Sequence, residues 1–256
     1  MLLAIDVGNT NVVLGCVSEE GDIGSMSRMT TDKTHTADEY AIKIKDILAL
    51  RGIDSADITD CIISSVVPSV TGTLKQAVEF ITGKTPMIVG PGIKTGLDIR
   101  IDSPAQLGAD LAVDAVAVVN QYELPAVVID MGTATTFSVL DVGAKFLGGL
   151  IMPGMRTSLA ALSSGTAQLP NVGIDKPAKL IGTNTIDCMI SGVVMGHASM
   201  IDGIVDRVEE ELGKKVTVVA TGGHSSLVMN YCKHQIIFDD HLLLKGLYFI
   251  YKKNKK

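Results

Sequence analysis

The sequence predicts an α/β protein built from two similar halves, and three observations lead there. "LLAIDVGNTNVVLG" from residue 2 and "AVVIDMGTATTFSVLD" from residue 126 repeat one pattern: an apolar run reaches Asp-x-Gly, turns through Thr, and becomes apolar again. Asp6 and Asp130 of these echoes lie close to half a chain apart, and behind each comes the same order, strands first and alternating helices and strands later. Val, Ile, Leu and Ala together with 26 glycines make a composition suited to buried strands and tight turns.

In the first half, 2–7 and 11–18 read as adjacent strands around the Gly8-Asn9-Thr10 turn, with a third at 23–30. Residues 36–51 read as a helix, because Thr36 and Glu39 have capping-box spacing and Gly52 follows the end. "CIISSVVPS" at 61–69 reads as a buried strand, 70–82 as a helix and "PMIVG" as a strand. A Gly/Pro-rich connection at 90–104 leads into a helix over about 105–121. The second half repeats this with strands at 126–131, 135–141 and about 146–151, a short helix near 155–163 and a Gly/Pro/Asn-rich loop over 164–182, expected to be mobile. An apolar-periodic helix over 185–212 follows, then the strand "KVTVVATGG", a short helix, the strand "QIIFD" and a last helix over 241–252. The expected domains are 1–117 and 118–256, the terminal helix belonging to the second.

The 256 residues are 46% hydrophobic, ample for one large or two medium cores. Aromatics are only 4% with no Trp, which disfavours a stacking platform for single-stranded nucleic acid. A net charge of −6 disfavours a nonspecific binder of phosphate backbones, and the basic end Lys252 to Lys256 reads as a solvated tail. Cys16, Cys61, Cys188 and Cys232 lack paired spacing and read as small core residues in a reducing cytosol. Five apolar residues before Asp6 are too few for a signal peptide, and without an uncharged run of membrane length no spanning segment is expected.

A strand ending in Asp that turns through Gly and Thr presents a carboxylate beside backbone amides and a hydroxyl. Amides and Thr suit a polyphosphate, and the carboxylate suits its Mg²⁺, usually through water. Gly8 and Gly132 let phosphate approach the backbone closely. Either echo alone is equally a plain hairpin; the pair, facing each other across a cleft, favours phosphate binding. In "VVATGGH", Gly222 and Gly223 follow a buried strand, where bare backbone can lie against a nucleoside. In "SPAQLGADLAVDAVAVV", Asp110 and Asp114 share one helix face and could offer a base to a substrate hydroxyl; from pattern alone, two solvated carboxylates are the simpler reading. Histidines 35, 197, 224, 234 and 241 show no metal-ligand spacing, and no Walker loop or GxGxxG fingerprint occurs.

"IDVGNTN", "SSVVPS", "GPGIKTGLDI", "QLGAD", "IDMGTATT", "PG", "LP", "IGTNT" and "ATGG" occur in an order that resembles the type III pantothenate kinases, over residues 1 to about 251. The resemblance implies two duplicated ribonuclease-H-like domains of the actin-like ATPase type with a cleft between them. It also implies a homodimer that uses ATP, Mg²⁺ and a monovalent cation (K⁺ or NH₄⁺) to phosphorylate the terminal hydroxyl of pantothenate, opening coenzyme A synthesis. Asp6, Val7, Gly8, Asn9, Thr10, Asn11, Val12 and Val13 match the family's ATP-phosphate loop, and Thr133 matches a further ATP contact. Asp130 matches the monovalent-cation ligand and Asp110 the catalytic base; Gly108, Ala109 and Thr185 match substrate contacts.

The chain departs from the family pattern at Ile101, where Tyr is usual, and at Leu111, where the family reads Gly-Ala-Asp-Arg; Asp114 stands where Asn is common. An Arg beside the base would meet the pantothenate carboxylate, which Leu cannot. A kinase for another small hydroxylated metabolite and a nucleotide-binding regulatory paralogue with little kinase activity are the alternative readings.

Overall fold

The computed structural model describes residues 1–255. β1 (Leu2–Val7), β2 (Asn11–Val17) and β3 (Ile23–Thr30) form an antiparallel meander. β1 is buried along its whole length because both of its faces are covered, which explains its uninterrupted apolar run. α1 (Ala37–Leu50) starts at the capping box: Glu39 N–H donates to the Thr36 hydroxyl and Thr36 N–H to the Glu39 carboxylate. It buries Tyr40, Ala41, Ile44 and Leu48, spaced along one face. β4 (Asp60–Ser65) returns parallel to β1.

The strand expected to run on to residue 69 stops at Ser65, and α2 (Pro68–Thr82) begins with the proline, whose missing N–H and fixed φ suit the first helical turn. β5 (Met87–Ile88) is shorter than expected and completes a sheet of order β3-β2-β1-β4-β5. β6 (Asp98–Ile99), within a stretch expected to be only a connection, pairs with the other sheet. α3 (Ala109–Gln121) follows a single 3-10 turn at Pro104–Gln106.

The order then recurs. β7 (Ala126–Met131), β8 (Ala134–Leu140) and β9 (Lys145–Pro153) form a second meander, followed by α4 (Met155–Gly165) and α5 (Thr185–Leu212). β10 (Thr217–Thr221) lies parallel to β7; after α6 (Ser225–Val228), β11 (Ile237–Phe238) lies parallel to β10, and α7 (Leu242–Asn254) is the last element. The second sheet has the order β11-β10-β7-β8-β9-β6, which is the first sheet's order with one strand added at the edge. The repeated sequence pattern thus folds as two similar α/β units, each ribonuclease-H-like as the family resemblance implies.

The unit boundaries differ from the expected halves. One unit comprises Met1–Leu97, Asp102–Asn120 and the segment from His241, and the other comprises Asp98–Ile101 and Gln121–Asp240. The terminal helix thus belongs with the first unit, and the reason is packing. Leu3, Ile5 and Val7 face α1 and α2 on one side of the first sheet, while Leu2 and Ala4 point to the other side and need a cover. Leu244, Leu247, Ile250 and Tyr251 of α7, with Val113 and Val116 of α3, supply it. The Tyr251 hydroxyl donates to Asp60 at 2.5 Å, and Gly246 lets α7 approach the backbone of Val113. Lys252 and Lys253, read as tail, are exposed but lie in the last turn of α7, where cations complement the helix dipole.

In the second unit Val127, Ile129 and Met131 pack against α4 and α5 through Leu159, Met189, Val193, Val194, Ile201 and Val205. By length and composition α5 could cross a membrane, yet half of its most apolar stretch is buried inside the protein and it carries the buried polar residues His197 and Asp202. That is the profile of a core helix.

Candidate nucleotide and acceptor site

Register defines the first turn. Val7 pairs with Val12, leaving Gly8 to Asn11 as the connection, closed by the Gly8 N–H donating to the Asn11 carbonyl at 3.0 Å. Thr31, just past β3, braces it twice: its N–H donates to the Thr10 carbonyl at 2.9 Å and its hydroxyl to the Gly8 carbonyl at 2.7 Å. Asn9, Thr10 and Asn11 are exposed, whereas Val12 is buried and Val13 half-buried. Asp6 is 7% exposed and lies on the α3/α7 side of the sheet by strand alternation. Its partner in register on β4 is Ser64, whose fully buried hydroxyl has no hydrogen-bond partner among the described residues. Buried hydroxyls without partners are rare in protein cores, and each calls for an explanation such as strain, a bound water or ion, or a role in chemistry.

The second turn is one residue shorter. Met131 pairs with Thr135, and the Gly132 N–H donates to the Ala134 carbonyl at 2.9 Å. The brace again comes from just beyond the third strand: the Gly154 N–H donates to the Thr133 carbonyl at 3.0 Å and the Thr157 hydroxyl to the same carbonyl at 2.7 Å. A side chain at Gly154 would stand 2.6 Å from that oxygen, so the "PG" step is fixed by contact with the turn. Asp130 sits in register between Thr136 of β8 and Thr221 of β10. Gly222 then turns at φ +94, and a Cβ there would lie 2.7 Å from Asp130 Oδ1 and from the Met131 N and O. Glycine is required on both counts. His224 follows Gly223; burial first, and then the charge of Arg156, holds its pKa down and favours the neutral imidazole.

Asp110 opens α3 as a half-buried carboxylate. Its Oδ1 accepts the Leu111 N–H at 2.8 Å and lies where a Gly108 side chain would have to be. Burial raises its pKa, only partly offset by that amide, so its proton affinity exceeds that of an ordinary aspartate. One turn on, Asp114 is 2% exposed. The expectation of two solvated carboxylates therefore fails: the helix is covered nearly all round, Ala112 to Val118 being buried.

The remaining expected residues are distributed as follows. Gly108, Ala109 and Leu111 are half-buried neighbours of Asp110 in the first unit. Ile101 belongs to the second unit beside Gly148, and Thr185 is the exposed first residue of α5, whose cap is Asn184. Sequence reading missed the braces Thr31 and Thr157, the partner position Ser64, and the Arg156–His224 proximity. Threonines following a third strand leave a faint signal; Ser64 leaves none, because parallel register is not written locally.

The profile of type III pantothenate kinases matches residues 2–207. Proteins named "Type III pantothenate kinase" from Bacillus cytotoxicus and Halalkalibacterium halodurans are each 42% identical over 254 residues, covering 99% of this chain and 97% and 100% of theirs. Among solved structures, the activator of 2-hydroxyisocaproyl-CoA dehydratase from Clostridium difficile, with bound ADPNP, aligns with a TM-score of 0.52 at 13% identity, covering 100% of this chain and 98% of that one. At that identity what is shared is the fold. The 42% identity to the two bacterial kinases over 99% of this chain, on a frame of two braced Asp-Gly turns and a half-buried helix-opening aspartate, places the chain in the type III pantothenate kinase family.

Proposed function

We propose that this protein transfers the γ-phosphoryl group of ATP to the terminal hydroxyl of pantothenate, forming 4′-phosphopantothenate and ADP as the first step of coenzyme A biosynthesis. The observation that carries this reading is the identity to type III pantothenate kinases over almost the whole chain. Asp110 takes the hydroxyl proton as the oxygen attacks the γ-phosphorus and the bond to ADP breaks. Its raised pKa improves it as an acceptor, since a base is most effective when its affinity nears that of the working pH. Phosphoryl transfer otherwise depends on positioning and on charge neutralisation.

In this proposal the loop from Asp6 to Val13 holds the ATP phosphates, and Thr133, Gly222 and Gly223 contact the nucleotide. The donor set fits hard cations: a buried carboxylate beside a partnerless serine hydroxyl at Asp6 and Ser64 suits Mg²⁺ through water, and Asp130 among threonines suits K⁺ or NH₄⁺. Bound there, such cations would offset the charge of the phosphates. Ile101, Gly108, Ala109, Leu111 and Thr185 form the acceptor contacts. We further propose a cytosolic homodimer. α5 is packed on one side and leaves Ile186 49% exposed, with Ile181 and Leu180 exposed just before it. Light scattering that gave a monomer at micromolar concentration would reject the dimer.

The test is coupled ATP turnover with and without pantothenate, with the product identified by mass. Pantothenate-dependent turnover supports the reading. Leu111, apolar where Arg is usual, favours one second reading, a kinase for a less anionic hydroxylated metabolite. Turnover restored by such compounds but not by pantothenate would establish that reading instead.

A further inference from the structure

Histidine spacing in the sequence shows no metal site, but folding brings together a cluster drawn from two elements of the second unit. Asp206 and Glu209 stand one turn apart on α5, and His234 lies in the segment between the 3-10 turn at Met229–Tyr231 and β11. One ligand atom from each lies within 4.8 Å of the other two, and His234 Nε2 is 2.9 Å from Asp206 Oδ1. The imidazole is anchored through its own backbone. The buried carboxylate of Asp202, one turn before Asp206, accepts the Lys233 N–H at 2.9 Å on both oxygens and the His234 N–H at 3.1 Å. Glu209 is fixed as well, since its Oε1 accepts the Val216 N–H at 3.1 Å. Side-chain exposure rises from 10% at Glu209 through 21% at His234 to 62% at Asp206, so the cluster is backed by protein and open to water on one side.

A cation already occupies part of this place. The Lys215 ammonium is 2.5 Å from Glu209 Oε2, yet its side chain is 86% exposed and free to swing into water. We propose that Asp206, Glu209 and His234 form a divalent transition-metal site that takes Zn²⁺ or Co²⁺ in place of the Lys215 ammonium and clamps the segment leading to β11 onto α5. One imidazole and two carboxylates are the donors such ions accept, at bonds of about 2.0–2.2 Å, with water completing the open side. In a tetrahedron those bonds place neighbouring ligand atoms roughly 3.3 Å apart. The His234–Asp206 separation of 2.9 Å is already close. The ion would take the place of the hydrogen between them, the imidazole binding in its neutral form and any displaced proton passing to solvent, and the Glu209 carboxylate would exchange the Lys215 ammonium for the ion. Mg²⁺ prefers all-oxygen surroundings and is not the expected occupant.

The test uses the full-length, metal-stripped protein without nucleotide. Titration with Co²⁺, read by its visible absorption, and with Zn²⁺, read by calorimetry, should give one equivalent bound at this site. His234→Gln and Asp206→Asn should each weaken binding at least about tenfold, as loss of a ligand does. Lys215→Met should tighten it, because the competing ammonium is gone; a merely structural ion pair would not give that result. Asp6→Asn, remote from the cluster in sequence and in the other unit, should leave this equivalent unchanged. Equal binding by wild type and His234→Gln, or no tightening in Lys215→Met, overturns the proposal.

Discussion

Replacing Gly222 by Ala tests the geometry around Asp130 most directly. Two costs can be separated. The backbone at φ +94 lies where a Cβ is strained, which costs an alanine about 1–2 kcal/mol. The new methyl would also stand 2.7 Å from Asp130 Oδ1, Met131 N and Met131 O, short of an ordinary contact of about 3.5 Å. Two of those atoms are backbone, so the turn after β10 has to move away from β7, and overpacking of this kind costs about 1–3 kcal/mol. Together the loss is about 2–5 kcal/mol. Gly213, the residue closing α5 at φ +63 with nothing within 4 Å, provides the control, because Gly213→Ala suffers the strain without the contact. Urea unfolding of both variants should show Gly222→Ala less stable than Gly213→Ala by at least about 1 kcal/mol. If Asp130 holds K⁺ as proposed, activation by that ion should weaken in the first variant alone. Equal losses of stability would refute the close packing of Gly222 on Asp130.

Three further outcomes follow from the site. Asp6→Asn keeps the shape and removes the charge, so Mg-ATP turnover should vanish while the circular dichroism spectrum is retained; unchanged turnover removes Asp6 from the mechanism. Asp110→Asn should lower kcat by about 10²–10⁴-fold. Because a base works deprotonated and burial raises the pKa of Asp110, wild-type kcat/KM should fall on acidification at a pH above the ordinary aspartate value of about 3.9, and a profile flat down to that value contradicts the assignment. Leu111→Arg supplies a charged partner for the pantothenate carboxylate and should lower its KM about tenfold to a hundredfold, the equivalent of about 1.5–3 kcal/mol; no gain would mean that pantothenate is not held at this position.

The parts of the fold that sequence reveals are those specified by neighbours along the chain. The capping box at Thr36 and Glu39, the apolar run of β1 and the long period of α5 depend on residues within a few positions, and each element appears where expected. The two Asp-Gly turns were legible for the same reason, and their likeness extends to the order of the five strands that the two sheets share. What escaped depends on distant partners. β6 is a two-residue strand made only by pairing with β9, and α7 is assigned by the apolar side of β1 that it covers, a strand at the opposite end of the chain. Ser64 reaches Asp6 only through parallel register. The buried state of Asp114 was hidden because a carboxylate on an apolar helix normally marks the solvent side.

The return of α7 to the first unit has a consequence for how the protein is made. Synthesis runs from the N-terminal side, so the meander and α1 emerge before the rest, but the face of β1 carrying Leu2 and Ala4 has no α7 to cover it until residues 242–254 appear. The second unit apart from its short β6 edge, residues 121–240, is a continuous insertion whose parts have all emerged by then. It can therefore consolidate first during synthesis, although it is second in the sequence, while the first unit waits with an apolar face uncovered. A chain truncated before Leu242 should accordingly keep a folded second unit and lose the first, and limited proteolysis of stalled nascent chains would reveal this order.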